Sequence, residues 1–273
     1  MTVAAREEGS DRGGLGPAYA ASRTQLGLVA VLVALAAVGW WWTTREMNGM
    51  DEGPWTALGT AAWFLGVWVV MMGAMMFPSL APTVALYSKL KHRQTPGAPL
   101  LFTSGYLLVW SAAGLLVYLL ATVGAPLFGD ALAWNRAGRY VAGATLLLAA
   151  AYELTPLKAI CLRKCRTPLG FLLGSWRDGL SGAVNMGVRH GAWCLGCCWA
   201  LMASLFALGV MSVVWMALVA GLIAFEKLIP SRRAATYGTT AVLLVLGALM
   251  LFAPHVLPAL TIPRTGRMSP MGA

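Results

Sequence analysis

Residues 185–202 read Asn-Met-Gly-Val-Arg-His-Gly-Ala-Trp-Cys-Leu-Gly-Cys-Cys-Trp-Ala-Leu-Met and hold three of the five cysteines of the protein, Cys194, Cys197 and Cys198. The stretch opens an apolar segment. On a helix, positions three and four apart share a face, so these thiols form one cluster. His190, Cys194, Cys198 and Met202 then succeed one another at intervals of four, a stripe of soft-metal ligands beside Cys197. The stripe reads as one wall of a metal site. The other walls must come from elsewhere in the chain.

The 273 residues are 59% hydrophobic and 11% charged, with 12 Trp and 14 Met. A soluble domain carries about 25% charged residues, whereas a helix that crosses a bilayer needs about 20 apolar ones. Several runs are long enough. The expected fold class is all-α, a polytopic transmembrane helical bundle of seven spans: 26–43, 57–77, 99–121, 138–157, 190–208, 212–229 and 237–253. Residues 1–25 read as a disordered cytoplasmic tail, 26–254 as a transmembrane metal-binding domain and 255–273 as a C-terminal tail. Trp40, Trp41 and Trp42 suit an interfacial belt rather than a cleaved signal. Pro78 and Pro82 are expected to break the second helix, and 122–135 to form a loop. Residues 167–188, partly apolar but with Arg177 and Asp178, read as a surface or re-entrant helix.

The formal charge is +10. The basic residues sit in short loops between apolar runs, and no nucleic-acid-binding motif accompanies them, so the partner they indicate is the lipid bilayer. With the N-terminus in the cytoplasm, seven spans place inside three basic residues of the tail, three of 88–98, six of 158–189, and Lys227, Arg232 and Arg233. Only Arg45, Arg136, Arg139, Arg264 and Arg267 fall outside. That distribution obeys the positive-inside rule. It predicts a bacterial cytoplasmic (inner) membrane protein with its chemical groups at the inner ends of its spans.

Those groups are few. Met71, Met72, Met75 and Met76 pair at intervals of four, as thioether ligands or as flexible packing. Cys161 and Cys165 lie one turn apart among Arg163, Lys164 and Arg166, which favour thiolate; the alternative is a palmitoylation site. Glu153 is an acid in an apolar span, where such groups are costly unless paired or functional. It reads as a ligand, a group supporting a ligand, or a proton acceptor, next to a Tyr152 carbonyl that Pro156 frees. Glu226, beside Lys227, reads as interfacial and paired with it. His190 reads equally as a ligand or an interfacial histidine.

Thiolate and thioether together select Cu(I), with zinc or an iron–sulfur cluster as alternatives. Calcium and magnesium need several oxygen ligands and are excluded as main guests. The chain holds three histidines, two of them (His92 and His255) in a loop and a tail, which gives haem little support. No serine sits in an elbow motif, so no catalytic residue is assigned.

Three motifs also carry a resemblance. Met-Met-x-Ala-Met-Met-x-Pro (71–78), Tyr-Glu-Leu-Thr-Pro-Leu-Lys-x-x-Cys-Leu-x-x-Cys-Arg-x-Pro (152–168) and Cys-x-Gly-Cys-Cys-Trp-x-Leu-Met (194–202) resemble the bacterial family of predicted metal-binding integral membrane proteins, a domain of unknown function, over roughly 26–254. The resemblance implies a polytopic membrane fold with a metal. It points to Met71, Met72, Met75, Met76, Glu153, Cys161, Cys165, Cys194, Cys197 and Cys198, to which the helical stripe adds Met202. The expected function is copper handling, with delivery to a membrane or exported cuproenzyme and an oligomer as a further expectation. One alternative is a metal-dependent membrane oxidoreductase or a subunit of one. Another is an assembly subunit with structural zinc, in which Gly170/Gly174 and Gly187/Gly191 would be helix contacts.

Overall fold

The computed structural model describes residues 15–47, 59–90, 97–128, 137–208, 212–229, 231–253 and 256–257. Residues 1–14 and 258–273 of the expected tails, and Lys91, His92, Arg93 and His255, lie outside the described residues. Apolar runs without water must satisfy their backbone groups internally, which a helix does within one segment. Accordingly the described residues form helices and no strand. They are α1 (Leu15–Met47), α2 (Ala61–Leu90), α3 (Ala98–Phe128), α4 (Arg139–Glu153), α5 (Pro156–Arg166), α6 (Pro168–Gly174), α7 (Gly179–Leu208), α8 (Val213–Leu228) and α9 (Arg232–Phe252).

Five of these are long and apolar enough to cross a membrane, or six if the bent pair α4–α5 counts as one span, in place of the seven expected. The shortfall has two causes. Helix α8 is only 16 residues long, about 24 Å at the usual rise. The fourth span is not continuous: α4 stops at Glu153, and α5 leaves at 69° to it. Thr155 caps α5 by accepting from the Lys158 amide, with Pro156 in the first turn, where a proline loses nothing. The Tyr152 carbonyl is therefore not left free. It accepts from the Thr155 amide (2.9 Å) and hydroxyl (2.7 Å).

Three further boundaries differ from expectation. Helix α3 continues through Phe128 into the expected loop, whereas the apolar span of α1 starts at Leu26 as expected. Helix α2 runs through Pro78 and Pro82 to Leu90. Packed helices tolerate prolines because neighbouring groups take up the freed carbonyls. Residues 167–188 divide between α6 and the first turns of α7, so the span expected from His190 starts at Gly179. Met71–Met76 and Cys194–Cys198 consequently lie near the middles of two 30-residue helices, not at their inner ends.

Large apolar side chains cover the outside, among them Leu100, Leu148 and Phe252. The ionisable Glu153, Lys158, His190 and Glu226 are buried instead. That is the inverse of a water-soluble surface and suits helices solvated by lipid. Helix α1 packs against α2, α3 against α7, α4 against α9, and α5 against α7.

The α3–α7 contact depends on missing side chains. A Cβ at Gly187 would run into the Phe102 carbonyl oxygen, and one at Gly105 into that of Val184. Gly191 lies against Tyr106 and Val109, so Gly187 and Gly191 do face a helix. Gly170 and Gly174 do not: Gly170 meets only Thr167, and Gly174 nothing. Gly187→Ala is expected to force α3 and α7 apart at a cost of about 1–3 kcal/mol, the usual range for overpacking. A lowered unfolding midpoint in detergent would show it, and Gly174→Ala should leave the midpoint unchanged.

Candidate metal centre

The helical reading of 185–202 holds, and α7 presents its three thiols inward. Cys194, Cys197 and Cys198 are each about 1% exposed, and their sulfurs all lie within 4.8 Å of one another. The Cys194 and Cys198 sulfurs are 4.0 Å apart. Helix α5 supplies a fourth: Cys165 Sγ lies 3.7 Å from Cys197 Sγ. All five cysteines are free thiols.

Cys161, one turn before Cys165, lies against Gly196 of α7. A Cβ at that glycine would stand 2.9 Å from the Cys161 sulfur. The glycine inside Cys-x-Gly-Cys-Cys thus lets α5 approach closely enough for its thiols to reach α7. Tyr152 fastens the same place by donating to the Gly196 carbonyl at 2.6 Å.

These separations suit one soft ion. Two sulfurs each about 2.3 Å from a metal stand at most about 4.6 Å apart, near 4.0 Å in a trigonal site and near 3.8 Å in a tetrahedral one. The pairs at 4.0 and 3.7 Å fall within that limit. Thiolate sulfur favours Cu(I), zinc or iron–sulfur clusters over hard cations.

Three other helices converge on Cys194. Lys227 of α8 donates to its sulfur at 3.2 Å and to the hydroxyl of Ser79 in α2 at 3.1 Å. Tyr106 of α3 has its hydroxyl 3.1 Å from the same sulfur. Ser79 in turn donates to the Met76 carbonyl at 2.8 Å, so the methionine turn of α2 is tied to the thiols through Lys227. Met71, Met72, Met75, Met76 and Met202 are buried in the same contiguous core as the cysteines.

His190 is buried one turn below Cys194, ringed by Phe102, Tyr106 and Phe171. Its Nδ1 has no hydrogen-bond partner among the described residues.

Glu153 belongs to a different cluster. Its carboxylate meets Lys158 of α5, and the same ammonium holds both carboxylate oxygens of Glu226 in α8, at 3.0 and 2.8 Å. All three side chains are almost fully buried. Glu226 is therefore paired with Lys158 and not with its neighbour Lys227. Adjacent residues on a helix do not face each other.

Sequence reasoning missed Lys227, Ser79, Tyr106 and Lys158 as members of these clusters. For Lys227 a signal existed, a cation near the end of an apolar helix. Ser79 and Tyr106 carry none, since neither is unusual where it stands.

A family model described as PpoB2, copper chaperone, matches residues 65–250, more than half of the chain and all of the thiol-bearing helices. No curated protein and no solved structure matches.

Proposed function

The chain belongs to the PpoB2 copper-chaperone family, and from that premise we propose that it is a membrane-embedded chaperone that carries Cu(I) on cysteine sulfur and passes it to a cuproenzyme. Copper is the metal that this family assignment supports. The observation that carries the rest is the meeting of α5 and α7, which brings Cys165 against Cys197 at the edge of the buried Cys194–Cys197–Cys198 cluster.

Those four sulfurs are the primary ligands in this reading. Cys161 and the thioethers of Met71, Met72, Met75, Met76 and Met202 serve as secondary donors in the same core. A chaperone must hold its ion and also release it. More soft donors than one ion needs permit a stepwise exchange, in which one sulfur departs as an acceptor's ligand arrives. Glu153 is not a ligand here, because its carboxylate is engaged with Lys158.

The partner is a membrane or exported cuproenzyme, and the compartment is the bacterial cytoplasmic membrane with the N-terminus inside. Two observations support the membrane placement: the apolar outer surface and five to six helices of sufficient length. The basic residues around α5 support the orientation.

The full chain, expressed in copper-supplemented cells and purified in detergent, should contain copper in at least stoichiometric amount by elemental analysis. A variant with all five cysteines replaced by serine should lose it. Unchanged copper in that variant, or zinc in place of copper in the parent, would sink the reading.

A further inference from the structure

We infer that Lys227 is the fixed counter-ion of the sulfur site and the residue that makes it prefer a singly charged soft cation to a doubly charged one. The inference rests on the copper reading above. An ammonium among apolar helices requires a partner. The sequence neighbour that would supply one, Glu226, is committed to Lys158. Among the described residues the hydrogen-bond partners of Lys227 are the Ser79 hydroxyl and the Cys194 sulfur. The charge of the ammonium therefore stands directly against the sulfur site.

A cation fixed beside a binding site repels an arriving cation in proportion to its charge, so zinc(II) meets twice the repulsion that Cu(I) meets. The charge count of the product agrees. On the same set of thiolates the Cu(I) form bears one negative charge more than the zinc(II) form, so an ammonium beside the site stabilises the copper form more. Ser79 makes the arrangement workable. When Cys194 turns to the metal, the ammonium retains a neutral acceptor at 3.1 Å, itself anchored to the Met76 carbonyl. Lys227 is thus a specificity-determining residue that never touches the ion.

The test compares the full-length protein in detergent with Lys227→Gln, Lys227→Arg and Ser79→Asp. Cu(I) is titrated anaerobically against bicinchoninate and zinc(II) against a chromogenic zinc chelator. Lys227→Gln removes the charge and should narrow the Cu(I)-over-zinc preference by at least about tenfold, while Lys227→Arg, which keeps it, should hold the preference within about threefold. Ser79→Asp places a carboxylate beside the ammonium and should shift the preference in the same direction as Lys227→Gln without altering Lys227. If Lys227→Gln fails to fold, as read by its circular dichroism, Ser79→Asp decides alone. An unchanged preference in whichever of these two variants folds overturns the inference. A parent protein that binds no Cu(I) instead overturns the copper reading itself.

Discussion

Replacing Cys194 and Cys197 together with serine is expected to lower Cu(I) affinity far beyond the roughly 10–100-fold that loss of a ligand-supporting group costs. The two residues sit at the junction of both sulfur contacts. Cys194 pairs with Cys198 on its own helix, and Cys197 faces Cys165 across the α5–α7 interface. With both gone, the remaining sulfurs of Cys165 and Cys198 have each lost the sulfur contact just described. Serine keeps the size and the small polar tip, so the helix should persist. Cys161→Ser should have a much smaller effect, below about tenfold, because Cys161 faces Gly196 as a secondary donor and supports the site without anchoring it. Competition with a chromogenic Cu(I) chelator measures both variants. Equal losses in the double variant and in Cys161→Ser would refute this division of roles.

Lys158→Met is expected to destabilise the fold by about 3–5 kcal/mol, the penalty for leaving a buried charge without its partner. The ammonium of Lys158 is shared by two carboxylates from different helices, Glu153 of α4 and Glu226 of α8. Its removal leaves both acids in an apolar interior. It also releases the joint that holds the bent α4–α5 pair against α8, and α5 is the helix that carries Cys165 to the metal site. Combining Lys158→Met with Glu153→Gln and Glu226→Gln removes the orphaned charges and should restore much of the loss. The unfolding midpoint in detergent, followed by tryptophan fluorescence, reads all three states. The fraction of Lys158→Met that stays folded should bind Cu(I) more weakly than the parent, because α5 carries Cys165 to the other thiols. A midpoint unchanged by Lys158→Met would show that the triad contributes nothing to the fold.

The sulfur stripe was legible because it is a local property. Cysteines at intervals of three and four share a helix face whatever surrounds the helix. The same holds for Gly187 and Gly191, whose spacing marks a face before the partner helix is known. Helix ends were less legible. Pro78 and Pro82 break a helix in water, but α2 passes through both because packing compensates the lost bonds. The start of α7 was hidden by Arg189, which interrupts the apolar signal without interrupting the helix, while Arg177 lies in the break between α6 and α7. Glu226 and Lys227 misled in another way. Adjacent opposite charges suggest a pair, yet on α8 they point in different directions and serve different clusters.

What the sequence determined by itself was therefore the class and the ligand chemistry: apolar helices of bilayer length, and soft sulfur donors in register along one face. Both follow from composition and from a period of 3.6 residues, and neither depends on distant parts of the chain. The tertiary structure alone decided that Cys165 reaches Cys197, that Lys227 stands by Cys194, and that Lys158 joins Glu153 to Glu226. Those contacts cross between helices far apart in sequence. Their existence depends on the bend at Thr155 and on the side chain absent at Gly196, which set how closely α5 can lie on α7.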